Sequence, residues 1–218
     1  MELDFLVLAD YWRDLLAGLY GTLQIALGSA VIGLLLGLVV ALLRISRSGV
    51  VRLLATVYTE FFRTVPPLVQ IVWFYFVLPP LLGIELSSFT AALLALGFNI
   101  AAFFAEIFRA GILSVDPGQL RASRVLGLGA FDTWTRVILP QALRAVLAPT
   151  ATTVVLLIKS TSLASVIGAL EVMRVGQLIS LETFRPLEVL TAVGFIYFVI
   201  TYPVLVLSRW MERRRALA

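Results

Sequence analysis

The sequence predicts an all-α integral membrane protein of five spanning helices, and three observations carry that expectation. Of 218 residues, 61% are hydrophobic and only 14% are charged, well below the quarter or so usual in soluble domains. Mean hydropathy is +1.02. The apolar residues also gather into long uncharged runs, most of them near the ~20 residues that a spanning helix needs. Inside a bilayer no water is available to bond the backbone, so runs this continuous fold as helices.

The first run, Leu15 to Leu43, predicts a span over about 15–43. Ahead of it the first sixteen residues are apolar and acidic, and are expected to lie along the outer interface with Tyr11 and Trp12 as anchors. Acids rather than a basic patch precede the run, which argues against a cleaved signal peptide. Arg52 to Leu78 reads as one helix, about 53–78, entering through an amphipathic first turn, with Pro66-Pro67 as a kink and Pro79-Pro80 as its end. The third span, about 86–109, follows from the run Leu86 to Ala105. A polar, glycine-punctuated segment, about 114–140, comes next. The fourth span, about 145–170, is interrupted near its middle by Lys159 and resumes through Leu170; the fifth, about 188–209, follows from Val189 to Ser208. Residues 1–218 thus form a single transmembrane domain. Gly33-x-x-x-Gly37 is assigned a packing role, letting two helices approach closely.

Arginine distribution sets the orientation. Arg44, Arg47 and Arg52 follow the first span, Arg109, Arg121, Arg124, Arg136 and Arg144 follow the third, and Arg209 with Arg213 to Arg215 forms the tail. These regions should be cytoplasmic. Glu2, Asp4, Asp10 and Asp14, then Glu85, then Glu171, Glu182 and Glu188 mixed with Arg174 and Arg185, should face outward. The result is N-out, C-in. The pI of about 9.8 is then a positive-inside bias, and no basic stripe interleaved with aromatics suggests nucleic acid.

Absences narrow the chemistry. Without His or Cys the usual zinc, haem and iron–sulfur ligand sets are missing, as is any thiol nucleophile. No G-x-x-x-x-G-K-[ST] loop occurs, and the single lysine, Lys159, sits in KSTSLAS, so ATP is not held by the common P-loop. No cofactor is expected. Ser160 and Ser162 beside Lys159 evoke Ser–Lys hydrolysis, but neighbours on a helix point to different faces and no oxyanion motif is legible. Uphill transport would draw its energy from elsewhere.

From Gln119 the order runs Arg121-Ala122-Ser123, three residues, Gly127, nine residues, Val137, then Leu139-Pro140. This resembles the EAA loop of permease subunits of ABC importers, Glu-Ala-Ala, three residues, Gly, nine residues, Ile, one residue, Leu-Pro. The resemblance extends through TLQIALGSAVIGLLLGLVVALLR, YTEFFRTVPPLVQIVWFYFVLP, AAFFAEIFRAGILSVDPGQ and LIKSTSLASVIG, which look like the polar amino acid uptake branch. It implies a five-helix subunit of the type I importer fold, paired with a second copy or a sister permease, in the cell's inner or plasma membrane. Two cytoplasmic ATPase subunits, which bind the ATP and Mg, and an extracytoplasmic solute-binding protein are the implied partners. Three departures stand out: Arg121 where the family usually has Glu, Ser160 where it usually reads Lys-Asp-Thr-Ser-Leu, and Thr153 where relatives often place Asn. The first reverses the charge offered to an ATPase.

Residue chemistry points the same way for coupling. A short helix from about Pro117 to Leu126, ended by Gly127, would offer Leu120, Val125, Leu128 and Phe131 to a partner; the bland reading is an ordinary amphipathic surface helix. The coupling set is Gln119, Leu120, Arg121, Ala122, Ser123, Val125 and Gly127. For the solute path the candidates are polar groups at membrane depth: Asn99 and Glu106, seven apart and so on one face, and the polar turn Lys159, Thr161 and Ser162. Glu106 would meet an ammonium group. The bland alternative is a self-neutralising i,i+3 pair, Glu106 with Arg109 and likewise Glu60 with Arg63. A self-sufficient secondary transporter or channel is the competing class, but no inverted repeat is visible and the interior is poor in carboxylates.

Overall fold

The computed structural model describes residues 4–216; Glu2 lies outside them, as do the side chains of Arg214 and Arg215. Every regular element among the described residues is a helix. A short α1 (Val7–Asp10) leads into α2 (Trp12–Arg44), followed by α3 (Gly49–Thr64), α4 (Pro67–Phe76), α5 (Leu78–Leu82), α6 (Ser88–Leu113), α7 (Pro117–Val125) and α8 (Ala130–Asp132). A π-helical stretch, Thr133–Ile138, then feeds α9 (Leu139–Ser160), which tightens into a 3-10 helix over Thr161–Ile167 before α10 (Val172–Thr183) and α11 (Pro186–Ala216). Among the described residues, four stretches are long and apolar enough to cross a membrane: Trp12–Arg44, Ser88–Leu113, Ala130–Ile167 and Pro186–Arg213.

The helix expected over 53–78 is two helices instead. Val65 and Pro66 are extended, with ψ of 129° and 136°, because a residue before proline is pushed out of the α region. Neither Pro66 nor Pro67 can donate an amide hydrogen to the turn below. The Phe62 carbonyl that Pro66 leaves free accepts from Gln70 Nε2 at 3.0 Å and Asn99 Nδ2 at 2.7 Å, and Gln70 Nε2 also donates to Val65 O at 2.8 Å, beside the break. What reads as a kink is therefore a built break.

The fourth span also differs. Its apolar helical stretch begins at Ala130 rather than 145, and the α conformation stops at Ser160, so Lys159 falls at the end of α9 rather than in the middle of a span. Hydroxyls explain the tightening that follows. Thr161 Oγ1 donates to Ile158 O, Ser162 Oγ to Lys159 O and Ser165 Oγ to Ser162 O, all three residues back, and such bonds compete with the i−4 ladder. Gly168, at φ +77°, ends the run.

The core sits between α2, α4, α6 and α9, around Ile25, Ile71, Phe74, Leu96, Phe104 and Leu157. Glycine makes the α2–α6 contact possible: a Cβ on Gly33 would lie 2.2 Å from Ile100 Cγ2, and one on Gly37 would lie 2.8 Å from Phe104 Cβ and 2.9 Å from the Ala101 carbonyl. A second cluster, built on Leu15, Val172, Val175, Ile179, Val189 and Val193, ties α10 to α2 and α11.

Candidate translocation and coupling sites

The polar segment between α6 and α9 folds as its sequence suggests. Asp116 caps α7, its Oδ1 accepting from Gly118 N at 2.5 Å, and Pro117 takes the first helical position, where no amide hydrogen is needed. At the other end Gly127 N donates to Arg124 O and Leu128 N to Ser123 O, both at 3.0 Å. That pair of bonds is the Schellman arrangement, which requires the positive φ that Gly127 adopts at +72°.

The segment is also braced from behind. Ser123 is buried, donating to Leu120 O and accepting from Thr133 Oγ1 at 3.3 Å, while Gln141 Nε2 at the start of α9 donates to Gln119 Oε1. Arg121, Ala122 and Arg124 are exposed, and Leu120 and Leu128 are half-buried against the bundle. The apolar surface left over is Val125, Leu126 and Phe131, exposed at 86%, 76% and 80%. Leu126, the C-cap of α7, was not among the expected contacts. The result is a rigid handle with an apolar tip and arginines at its sides.

Glu106 sits in a cluster of arginines. It bonds Arg44 from the end of α2 and Arg109 one turn on, the latter at 2.5 Å, and Arg63 from α3 stands 4.0 Å away. The i,i+3 pairing expected as the bland alternative is thus present, and is enlarged by two helices. Among the described residues no ion pair joins Glu60 to Arg63; that guanidinium lies over the Phe103 ring, 5.6 Å from its centroid. Asn99, expected beside Glu106 on one path, is buried and spends its amide on the α3 carbonyl. The two share α6 but face different neighbours.

At the end of α9 the polar turn divides. Thr161 is fully buried and Ser162 is half-buried, whereas Lys159 is exposed and no carboxylate among the described residues pairs with it. Among the buried polar groups that escaped sequence reasoning are Gln70 and Glu171. Gln70 is a lone amide inside the apolar run that follows Pro66-Pro67, and that isolation was its only signal. Glu171 reads as one more outer-loop acid, yet it is fully buried, caps α10 through Met173 N and Arg174 N, and accepts from Tyr197 Oη at 2.6 Å.

A Gly-ended surface helix on a bundle of apolar helices invites comparison with membrane transport subunits. Residues 33–217 match the family described as binding-protein-dependent transport system inner membrane component. The chain belongs to that family. It is a multi-pass inner-membrane permease, and such subunits conduct transport without carrying out catalysis. Similar relatives include the arginine transport system permease protein ArtQ of Bacillus subtilis (strain 168), 36% identical over 98% of both chains, and the octopine transport system permease protein OccM of Rhizobium meliloti, 37% identical over 99% of this chain and 94% of the other. Among solved structures, a crystal structure of an amino acid ABC transporter with histidines superposes with a TM-score of 0.90 at 36% identity, covering 98% of this permease and all of that chain. An inward-facing form of the MetNI methionine ABC transporter shares the fold, at TM-score 0.73 and 22% identity over 93% of this permease and 98% of that chain. The fold is therefore that of a type I ABC permease, a family that works with ATPase and substrate-binding partners in a dimeric arrangement.

Proposed function

We propose that this permease carries polar amino acids inward across the membrane, driven by two ATPase subunits that it grips through α7. The carrying observation is the tip of α7, where Val125, Leu126 and Phe131 are exposed beside the Schellman turn at Gly127. An apolar tip on a braced, arginine-flanked helix is suited to seat in a partner's groove and pass on a rigid-body push. The names and the fold of the relatives support the cargo class, and the solute is handed over by an extracytoplasmic binding protein. ATP and Mg are held by the ATPases, not by this chain.

In this reading α3 and α4 together make the remaining crossing, giving five, with the N-terminus outside and the C-terminus inside. A second copy or a sister permease completes the pathway. Lys159 faces that pathway, since an unpaired cation at bilayer depth is costly against lipid. Asn99, Glu106, Thr161 and Ser162 shape its walls.

Cysteines placed singly at positions 121 to 127 should crosslink to the ATPase in the assembled complex. Arg121→Glu separates two kinds of groove: it weakens assembly if the ATPase presents an acidic counterpart, and preserves or improves it if the groove is the family's ordinary one. A complex that hydrolyses ATP in response to solute yet yields no crosslink from this segment would exclude α7 as the docking element.

A further inference from the structure

A groove of about 410 Å³ lies where α2, α6 and α9 meet, walled by Leu34, Leu38 and Leu42, by Phe108, and by Leu143 and Trp134. No charged side chain lines it. Leu42 stands two residues before Arg44, where α2 ends, and Trp134 precedes α9, so this end of the groove opens at the membrane surface. Leu34 marks the other end, toward the middle of the bilayer. On the orientation proposed above, the open end is cytoplasmic.

The dimensions select the occupant. From Leu34 to Leu42 α2 rises about 12 Å, which fits within the ~15 Å depth of one hydrocarbon leaflet. The volume spread over that length leaves a cross-section of about 34 Å², against roughly 80–110 Å² for a helix 10–12 Å across. A helix of a second permease is too wide for it. A single hydrocarbon chain is not, and it restores the dispersion contacts that the walls of an empty groove forfeit.

Trp134 adds a polar hold. Its indole N–H is a donor only, its residue is 38% exposed, and among the described residues no acceptor meets that N–H. Tryptophan at a membrane surface sets its ring against the chains and its N–H among the headgroups. A phospholipid carries ester and phosphate oxygens at that level, so one molecule satisfies both the apolar walls and the donor.

The groove also touches the coupling segment. Leu139 N donates to Trp134 O, the five-residue bond of the π-helical stretch Thr133–Ile138, and both residues line the groove. Thr133, the first of that stretch, donates to Ser123 of α7. Single π-turns inside helices occur frequently at functional sites.

We propose that the groove binds one acyl chain of an inner-leaflet phospholipid, held at its head by Trp134, and that the bound lipid sets the π-helical stretch joining α7 to α9, so that coupling to the ATPase depends on it. The inference rests on the permease reading and the orientation above.

The test uses the permease–ATPase complex in phosphatidylethanolamine nanodiscs doped with a phosphatidylethanolamine that carries a diazirine on one acyl chain, the labelled residues being located by mass spectrometry. Photoadducts should concentrate on Leu38, Leu42 and Leu143 over Val199 and Leu207, which are about as exposed on α11. Leu143→Trp fills the groove and should lower the adducts at Leu38 and Leu42 about tenfold, while those on α11 stay within about twofold. Trp134→Phe keeps a ring but removes the N–H, and should lower them about three- to tenfold; should Leu143→Trp fail to fold, this variant still decides. Both should reduce ATP hydrolysis stimulated by solute-loaded binding protein at least about threefold, with the crosslinks from α7 to the ATPase retained. Adducts spread evenly over the groove and α11 would mark ordinary boundary lipid, and Leu38→Cys crosslinking to a second permease would mark a subunit interface; either overturns the site. Lost adducts with unchanged stimulation would overturn the link to coupling. Absence of any stimulation in the unsubstituted complex would instead sink the permease reading itself.

Discussion

Two residues carry most of what can be tested at single positions. Glu106 is the one carboxylate among three arginines, so Glu106→Gln leaves three cations facing one another. Removing one partner of a buried pair costs about 3–5 kcal/mol; here the side chain is 27% exposed, and a loss of about 1–3 kcal/mol is expected once solvent screening is allowed for. Thermal unfolding of the purified permease reads it. An unchanged melting temperature would remove the structural role and return Glu106 to the solute path. Gly127 is different, because a Cβ there would meet nothing within 4 Å and the penalty is purely one of backbone. Holding a non-glycine residue left-handed costs roughly 1–2 kcal/mol, more for a β-branched one. Gly127→Val should therefore misaim α7 and lower solute-stimulated ATPase activity at least tenfold with little change in melting, whereas Gly127→Asn, which tolerates positive φ, should retain most of it. Equal effects of the two would show that the turn's φ is not what matters.

At the scale of elements, close approach and breakage matter more than propensity. Gly37→Ala puts a methyl against the Ala101 carbonyl and Phe104 Cβ, and overpacking of this kind costs typically about 1–3 kcal/mol. It should lower the melting temperature, while Gly49→Ala, where a Cβ meets nothing within 4 Å, should not; the reverse order would show that α2 and α6 are not held at glycine contact. These local features were legible, as the Gly33-x-x-x-Gly37 spacing and the Gly127 stop show. Legibility fails where the deciding partner is remote in sequence. Whether Pro66-Pro67 kinks a helix or breaks it depends on who takes the freed carbonyls, and one of the takers, Asn99, lies 37 residues from Phe62. Glu106 announced its tie to Arg109, three residues away, but not to Arg44, 62 residues away. Glu171 reads as an outer-loop charge because nothing local says that Tyr197 and α10 will bury it.

For the whole molecule, the arginine asymmetry makes a topological statement. In this cysteine-free chain, Glu85→Cys should react with an impermeant thiol reagent from outside and Arg213→Cys should not; outside labelling at 213 would invert the orientation. On the orientation we propose, α7 with Arg121 and Arg124 is cytoplasmic. The helices that flank the α7 segment in the chain, α6 and α9, pack on each other. The most direct measurement is uptake of a radiolabelled polar amino acid into sealed vesicles that contain the permease, with ATPase, binding protein and ATP supplied or withheld one at a time. Accumulation against a gradient only when all three are present is the expected result. Sustained uptake by the permease alone, without ATPase or ATP, would contradict it.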